Sequence, residues 1–133
     1  MYSVYSDGAY SPSRDQGGCA FVLLKDNKKI FTFKKMFKNT TNQRMEMMAV
    51  CIALESIKTP SVINIFSDSA YIVNTINSNW NRKANCDLWE RLDKACKKHT
   101  EVQFNWVKGH ASNIYNAEAD KLAVEASEQV ILN

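Results

Sequence analysis

A short apolar run that ends abruptly on a carboxylate constrains this chain more than any other feature. Val62-Ile63-Asn64-Ile65-Phe66-Ser67 reads as a β-strand, and the next residue is Asp68. Ser69 can then cap an amphipathic turn carrying Tyr71, Ile72 and Val73. A strand that delivers an acid at its C-terminal end, directly before a helix, is the layout of a site on an open α/β sheet. The first strand, Tyr2 to Ser6, does the same and runs into Asp7 and Gly8. Parallel neighbours lie about 4.8 Å apart. If these two strands are such neighbours, their acids converge at one edge of the sheet.

The rest of the chain supplies the frame. Gly8 to Gly18 is polar, with Pro12 and Asp15, and is expected to be a turn. Cys19 to Leu24 is apolar on both faces, which predicts a strand covered on both sides. Asp26-Asn27 marks a hairpin, and Ile30 to Phe37 a third strand with Phe31 and Phe33 on one face and Thr32 and Lys34 on the other. Thr41 or Asn42 is suited to cap a long helix running to about Lys58, ahead of Pro60. After the Val62 strand come a short helix from Ser69 to about Ile76 and a polar segment from Asn77 to Asn85. A second amphipathic helix from Cys86 to Lys98 turns Leu88, Leu92 and Ala95 inward. Val102, Phe104 and Trp106 alternate with Gln103 and Asn105 in a last, half-buried strand, and a final helix spans about Tyr115 to Val130.

The expected order is therefore βββαβααβα. A crossover from the third strand through the long helix must be right-handed. That sets the fourth strand parallel to the first and gives a mixed five-stranded sheet, order 3-2-1-4-5, flanked by about four helices. Asp7 and Asp68 then lie side by side. The buried stripe of the long helix, Val50, Ala53, Leu54 and Ile57, extends back to Glu46. A carboxylate on such a stripe is costly unless it is paired, protonated or bound to metal, or unless it reaches out to water from the helix end. Asp120 shares a face of the last helix with Ala123, Val124 and Ile131, and could form a fourth wall of the same pocket.

Composition narrows the class. A chain of 133 residues, 45% hydrophobic and 23% charged, predicts one globular domain over residues 1–133. No apolar run approaches the roughly 20 residues of a membrane span. The N-terminus lacks a basic-then-apolar signal pattern, so the expected location is the cytoplasm with no membrane partner. A net charge of +3 permits a polyanionic partner without demanding one. The four cysteines form no C-x-x-C pair and fall in apolar patterns, which predicts buried free thiols and no zinc site.

Five segments together carry a resemblance. Ser6-Asp7-Gly8, Thr41-Asn42-Gln43-Arg44-Met45-Glu46, Ser67-Asp68-Ser69, Trp106-Val107-Lys108-Gly109-His110 and Asn116-x-x-x-Asp120 resemble the type 1 ribonuclease H family, in order and across essentially the whole chain. The resemblance implies the RNase H-like fold and a monomer that hydrolyses the RNA strand of RNA–DNA hybrids with two Mg²⁺ ions per active site, Mn²⁺ being a possible substitute. It implies 5′-phosphate and 3′-hydroxyl ends. It makes Asp7 the bridge between both ions, Asp120 the holder of the ion that activates water, and Glu46 and Asp68 the holders of the other. His110 resembles the mobile-loop histidine that assists phosphate departure. Asn42 and Gln43 resemble contacts to RNA 2′-hydroxyls, Thr41 and Asn85 parts of a phosphate pocket for the DNA strand, and Trp80 an aromatic packed near that strand. Thr41 and Asn85 suit helix caps equally well, and Trp80 suits a core position.

The chemistry asks for the same acids. Carboxylate oxygens suit Mg²⁺, and two ions about 3.5–4 Å apart clamp the attacking and leaving oxygens of an in-line displacement. The chain also departs from the family. Many members carry a Trp- and Lys-rich helix and basic loop where this chain has only Asn77 to Asn85, with Arg82 and Lys83 as its charges. The Glu usual after the family's Asn is Ala117, and no separate hybrid-binding domain is expected ahead of Met1. Two other classes compete. A different nuclease of the superfamily would lack the Thr-Asn-Gln-Arg-x-Glu helix start, and a noncatalytic hybrid-binding module would be expected to lose an acid.

Overall fold

The computed structural model describes residues 1–108 and 113–130. Its elements are β1 (Tyr2–Ser11), β2 (Gln16–Lys25), β3 (Lys28–Lys38), α1 (Asn42–Ser56), β4 (Val62–Ser67), α2 (Ala70–Asn77), α3 (Cys86–Lys97), β5 (Glu101–Trp106) and α4 (Ile114–Ser127). The sheet runs β3-β2-β1-β4-β5, as the right-handed crossover requires. β1 pairs antiparallel with β2 and parallel with β4, with Ser6 opposite Ser67. Asp7 is the next residue of β1 and Asp68 the first residue after β4, so one register places both at the same edge.

Strand alternation divides the core. Val4, Phe21, Ile63 and Ile65 face α1 and α3, where they meet Val50, Leu54, Leu88, Trp89 and Leu92. Val22 and Leu24 face the other way with Tyr5, against Ala119, Tyr115 and Leu122 of α4. Each fully buried large apolar side chain contributes about 1.5–3 kcal/mol. β2, buried from Gln16 to Leu24, is covered on both sides as its composition predicts. β3 is the opposite: an edge strand, exposed over most of its length and carrying Lys28, Lys29, Lys34, Lys35 and Lys38.

Several expectations need correction. The polar stretch from Gly8 to Gly18 is mostly strand, with the turn confined to residues 12–15 and closed by Asp15 at φ 48°. The glycines there serve close approach: a Cβ on Gly18 would lie 2.2 Å from the Ala123 carbonyl oxygen. The six left-handed, non-glycine positions among the described residues are all Asn or Asp, including both residues of the Asp26-Asn27 hairpin. Helix α1 stops at Ser56 and α4 at Ser127, each a turn or less short of expectation. Cys19 and Cys51 are buried and free as expected, but Cys86 opens α3 and is exposed. Trp106, the last residue of edge strand β5, is 54% exposed, so the inward face of that strand is carried by Val102 and Phe104.

Candidate active site

Three elements deliver three acids to one point. Asp7 continues the α4-facing set of β1, two residues after Tyr5. Asp68 follows β4, where its backbone is held on both sides. The Ser69 N–H donates to Ser67 Oγ at 3.1 Å, and Trp106 Nε1 donates to the Asp68 carbonyl at 3.2 Å. Glu46 comes from the first turns of α1, across from Gly8. That approach needs a glycine: a Cβ at position 8 would lie 2.4 Å from the Glu46 nitrogen and 2.5 Å from the Met45 carbonyl carbon. Backbone therefore touches backbone there, and Glu46 reaches the strand edge.

One carboxylate oxygen from each of Asp7, Glu46 and Asp68 lies within 4.8 Å of the other two. Two unit charges at that separation repel by about 3 kcal/mol at an effective dielectric near 20. The environment offers little relief. Asp7 Oδ1 accepts from the Gly8 N–H at 2.9 Å, while Glu46 Oε2 is buried without a hydrogen-bond partner. Burial, the Asp68 charge and the neighbouring Asp120 carboxyl push Asp7 up to about 8. Burial first, then Asp7 and Asp68, raise Glu46 well above the usual carboxylate range. Asp120 reaches Asp7 from α4 and lies half-buried beside the three-acid cluster.

An all-oxygen donor set suits a hard divalent cation. A buried oxygen with no partner is otherwise expensive, and a cation would both satisfy it and reverse the repulsion. The residues present therefore fit a metal.

The other described candidates fall at the start of α1 or between α2 and α3. Thr41, Asn42 and Gln43 are exposed at the start of α1, and Thr41 caps it, its Oγ1 accepting from the Arg44 N–H at 3.1 Å. Asn85 occupies the matching position before α3 but makes no capping bond; its backbone is left-handed at φ 59° and its side chain turns to Arg44. Trp80 is 50% exposed, which removes the core reading. Arg82 is turned onto its own protein, paired with Asp93 at 2.6 Å and stacked 4.7 Å above Trp89. His110 and Ile131 lie outside the described residues.

The sequence reading passed over Arg44 as anything but part of a motif. Its guanidinium forks onto Asp87 at 3.0 and 2.7 Å and holds that carboxyl down to about 2. No local pattern announces a pair so far apart in the chain; only the packing of α1 on α3 brings it about.

A mixed sheet in this order, with an acid cluster at the β1/β4 edge, defines the ribonuclease H-like class of α/β proteins. The chain belongs to the RNase H family, whose profile matches residues 1–128. It is similar to a ribonuclease H of Trichodesmium erythraeum, with 40% identity over 98% of this chain and 90% of that protein. It is also similar to the ribonuclease HI of Rickettsia prowazekii, with 41% identity over 94% and 90%. Among solved structures, the N-terminal RNase H domain of a Mycobacterium tuberculosis protein, fused to maltose-binding protein, matches with a TM-score of 0.82 over 96% of this chain and 93% of that one, at 17% identity. RNase H1 of Halobacterium salinarum matches with a TM-score of 0.78, at 21% identity. The chain is thus a nuclease of the hydrolase class. Among the described residues no helix is long and apolar enough to cross a membrane.

Proposed function

We propose that this chain hydrolyses the RNA strand of RNA–DNA hybrids by a two-metal-ion mechanism, as a single catalytic domain over residues 1–133, acting as a monomer in the cytoplasm. The observation that carries the reading is the Asp7–Glu46–Asp68 cluster, whose oxygens converge within 4.8 Å while Glu46 Oε2 stays buried and unpartnered. Asp7, Glu46, Asp68 and Asp120 are the residues that hold Mg²⁺, with Mn²⁺ as a substitute. The ions supply Lewis acidity, an activated water and a charge clamp on the reacting phosphate.

The chain's own residues do the rest. Water attacks phosphorus in line with the 3′ oxygen, so the P–O3′ bond breaks and the proton goes to O3′. The phosphate remains on the 5′ end of the downstream fragment, and the upstream fragment keeps a 3′-hydroxyl. His110, on the segment between β5 and α4, assists departure of the cleaved phosphate. Asn42 and Gln43 donate to and accept from 2′-hydroxyls in the minor groove, the group that marks RNA. Thr41 and Asn85 meet a phosphate of the DNA strand, and Trp80 packs beside that strand. The lysines along edge strand β3 would repel a second copy, which supports the monomer.

The test is cleavage of labelled RNA–DNA hybrid beside RNA–RNA and DNA–DNA duplexes, with Mg²⁺ and with chelator. Cleavage is expected only of hybrid RNA and only with Mg²⁺. Equal cutting of either homoduplex, or cutting in chelator, would overturn the reading.

A further inference from the structure

Arg44 stands between the two side chains assigned above to a DNA-strand phosphate. Its N–H is capped by Thr41 Oγ1, and its Nη1 donates to Asn85 Oδ1 at 3.3 Å. The guanidinium is also forked onto both oxygens of Asp87, in the first turn of α3. A guanidinium carries donors only, so the amide atom of Asn85 that faces it must be the oxygen. The NH₂ group of Asn85 is then directed the other way, where it can only donate. Asn85 makes no capping bond to its own helix, so nothing in α3 fixes that orientation. The amide torsion is broad and roughly two-fold, and without Arg44 it would present oxygen as readily as NH₂.

We infer that Arg44, clamped by Asp87, is a positioning residue that locks the Asn85 amide with its oxygen inward and its NH₂ aimed at a nucleic-acid phosphate. Its charge is committed to Asp87 rather than to the substrate. The inference rests on the reading that Asn85 meets a phosphate, and the experiment separates the two.

Hybrid binding is measured by fluorescence anisotropy in an Asp7→Asn background, with steady-state kinetics in the otherwise unaltered enzyme. Asn85→Ala should weaken binding about ten- to a hundredfold, as loss of one hydrogen bond to a charged acceptor does. Arg44→Lys should weaken it by the same factor although the positive charge is kept, because lysine lacks the planar fork. Asp87→Ala should weaken it too, although it removes a negative charge from a surface that receives a polyanion. Asp87→Asn serves where the alanine variant does not fold, as judged by thermal denaturation. Each change should appear in KM with kcat altered less than about twofold. Arg44→Lys added to Asn85→Ala should cost nothing more. Tighter or unchanged binding in Asp87→Ala, or additive losses in the double variant, would mean that Arg44 meets phosphate directly and would overturn the inference. Undiminished binding in Asn85→Ala would instead remove the phosphate contact itself, and the inference with it.

Discussion

Helix α1 carries two glutamates that the fold treats in opposite ways. Near its C-terminal end, Glu55 receives Arg91, whose Nε and Nη2 donate to its two oxygens at 2.7 and 2.6 Å and hold its carboxyl below the usual range. Near its N-terminal end, Glu46 is 7% exposed, faces Asp7 and Asp68, and is pushed up by burial and by those two charges. At one end the chain supplies the cation itself. At the other it assembles acids at a cost in stability, and among the described residues no cationic side chain is paired with Glu46. The difference teaches which acid belongs to structure and which to function, because a carboxylate kept unpaired in the interior needs a reason outside the fold.

The comparison breaks most sharply at Asp7. Asp7→Asn should lower Mg²⁺-dependent hybrid cleavage by at least ~10³-fold, yet raise the stability of the metal-free protein by about 1–3 kcal/mol through relief of repulsion. Retention of a tenth of the parent rate would remove Asp7 from the metal site.

Proton linkage should show the same contrast with opposite signs. With Asp7 raised to about 8, the native protein retains a proton that the unfolded chain has released. Metal-free stability should therefore fall as pH rises from about 4 to about 8, by a few kcal/mol in total. Glu55 works the other way: its contribution is complete above the ordinary glutamate pKa and is lost as pH falls through its lowered one. Urea melts in chelator across this range test both signs, and saturating Mg²⁺ or Asp7→Asn should flatten the upper limb. A metal-free curve that rises from pH 5 to 8 would contradict the raised carboxyls.

A smaller effect is expected at the paired end. Glu55→Gln or Arg91→Gln should cost about 1 kcal/mol, a modest value because both side chains are part-exposed and screened. Cleavage should be unchanged. A tenfold loss of kcat in a folded Glu55→Gln protein would show that the two ends of α1 are not independent.

The smallest effect extends the comparison to Arg82, another cation already committed within the protein. Arg82→Gln should leave the salt dependence of hybrid binding as it was. Each phosphate neutralised contributes about −0.9 to the slope of log affinity against log salt, and the parent slope should correspond to only a few phosphates. Measured between roughly 50 and 200 mM salt, a slope of about −6 or steeper would show that lysines such as Lys94, Lys97 and Lys98 supply the missing basic element.

Asp68 was legible in sequence because β4 signals its own end, an apolar run cut off by a carboxylate, whereas Asp7 stands mid-strand in β1, which runs on to Ser11. The sheet order followed from chain connectivity and handedness alone. The extent of β1 and β2 was hidden because Gly17 and Gly18 look like turn residues, whereas their bare backbone makes room for Met45 and α4. Ion pairs such as Arg44–Asp87 and Arg91–Glu55 were also hidden, since they depend on the relative rotation of two helices, which no single segment encodes. Trp106 misled by its alternation: the period is right, but cover runs out at the end of an edge strand.

Gly8 has a consequence for how this chain tolerates genetic variation. The position contributes no functional group, yet any side chain there meets the main chain of α1 at Met45 and Glu46. In a saturation library scored for hybrid cleavage, substitutions at position 8 should be depleted as severely as those at Asp7, with alanine no milder than larger residues. Scored instead for abundance of folded protein, the two positions should part, Asp7 variants persisting while Gly8 variants vanish. A glycine would thus register as an active-site residue in one screen and as a core residue in the other.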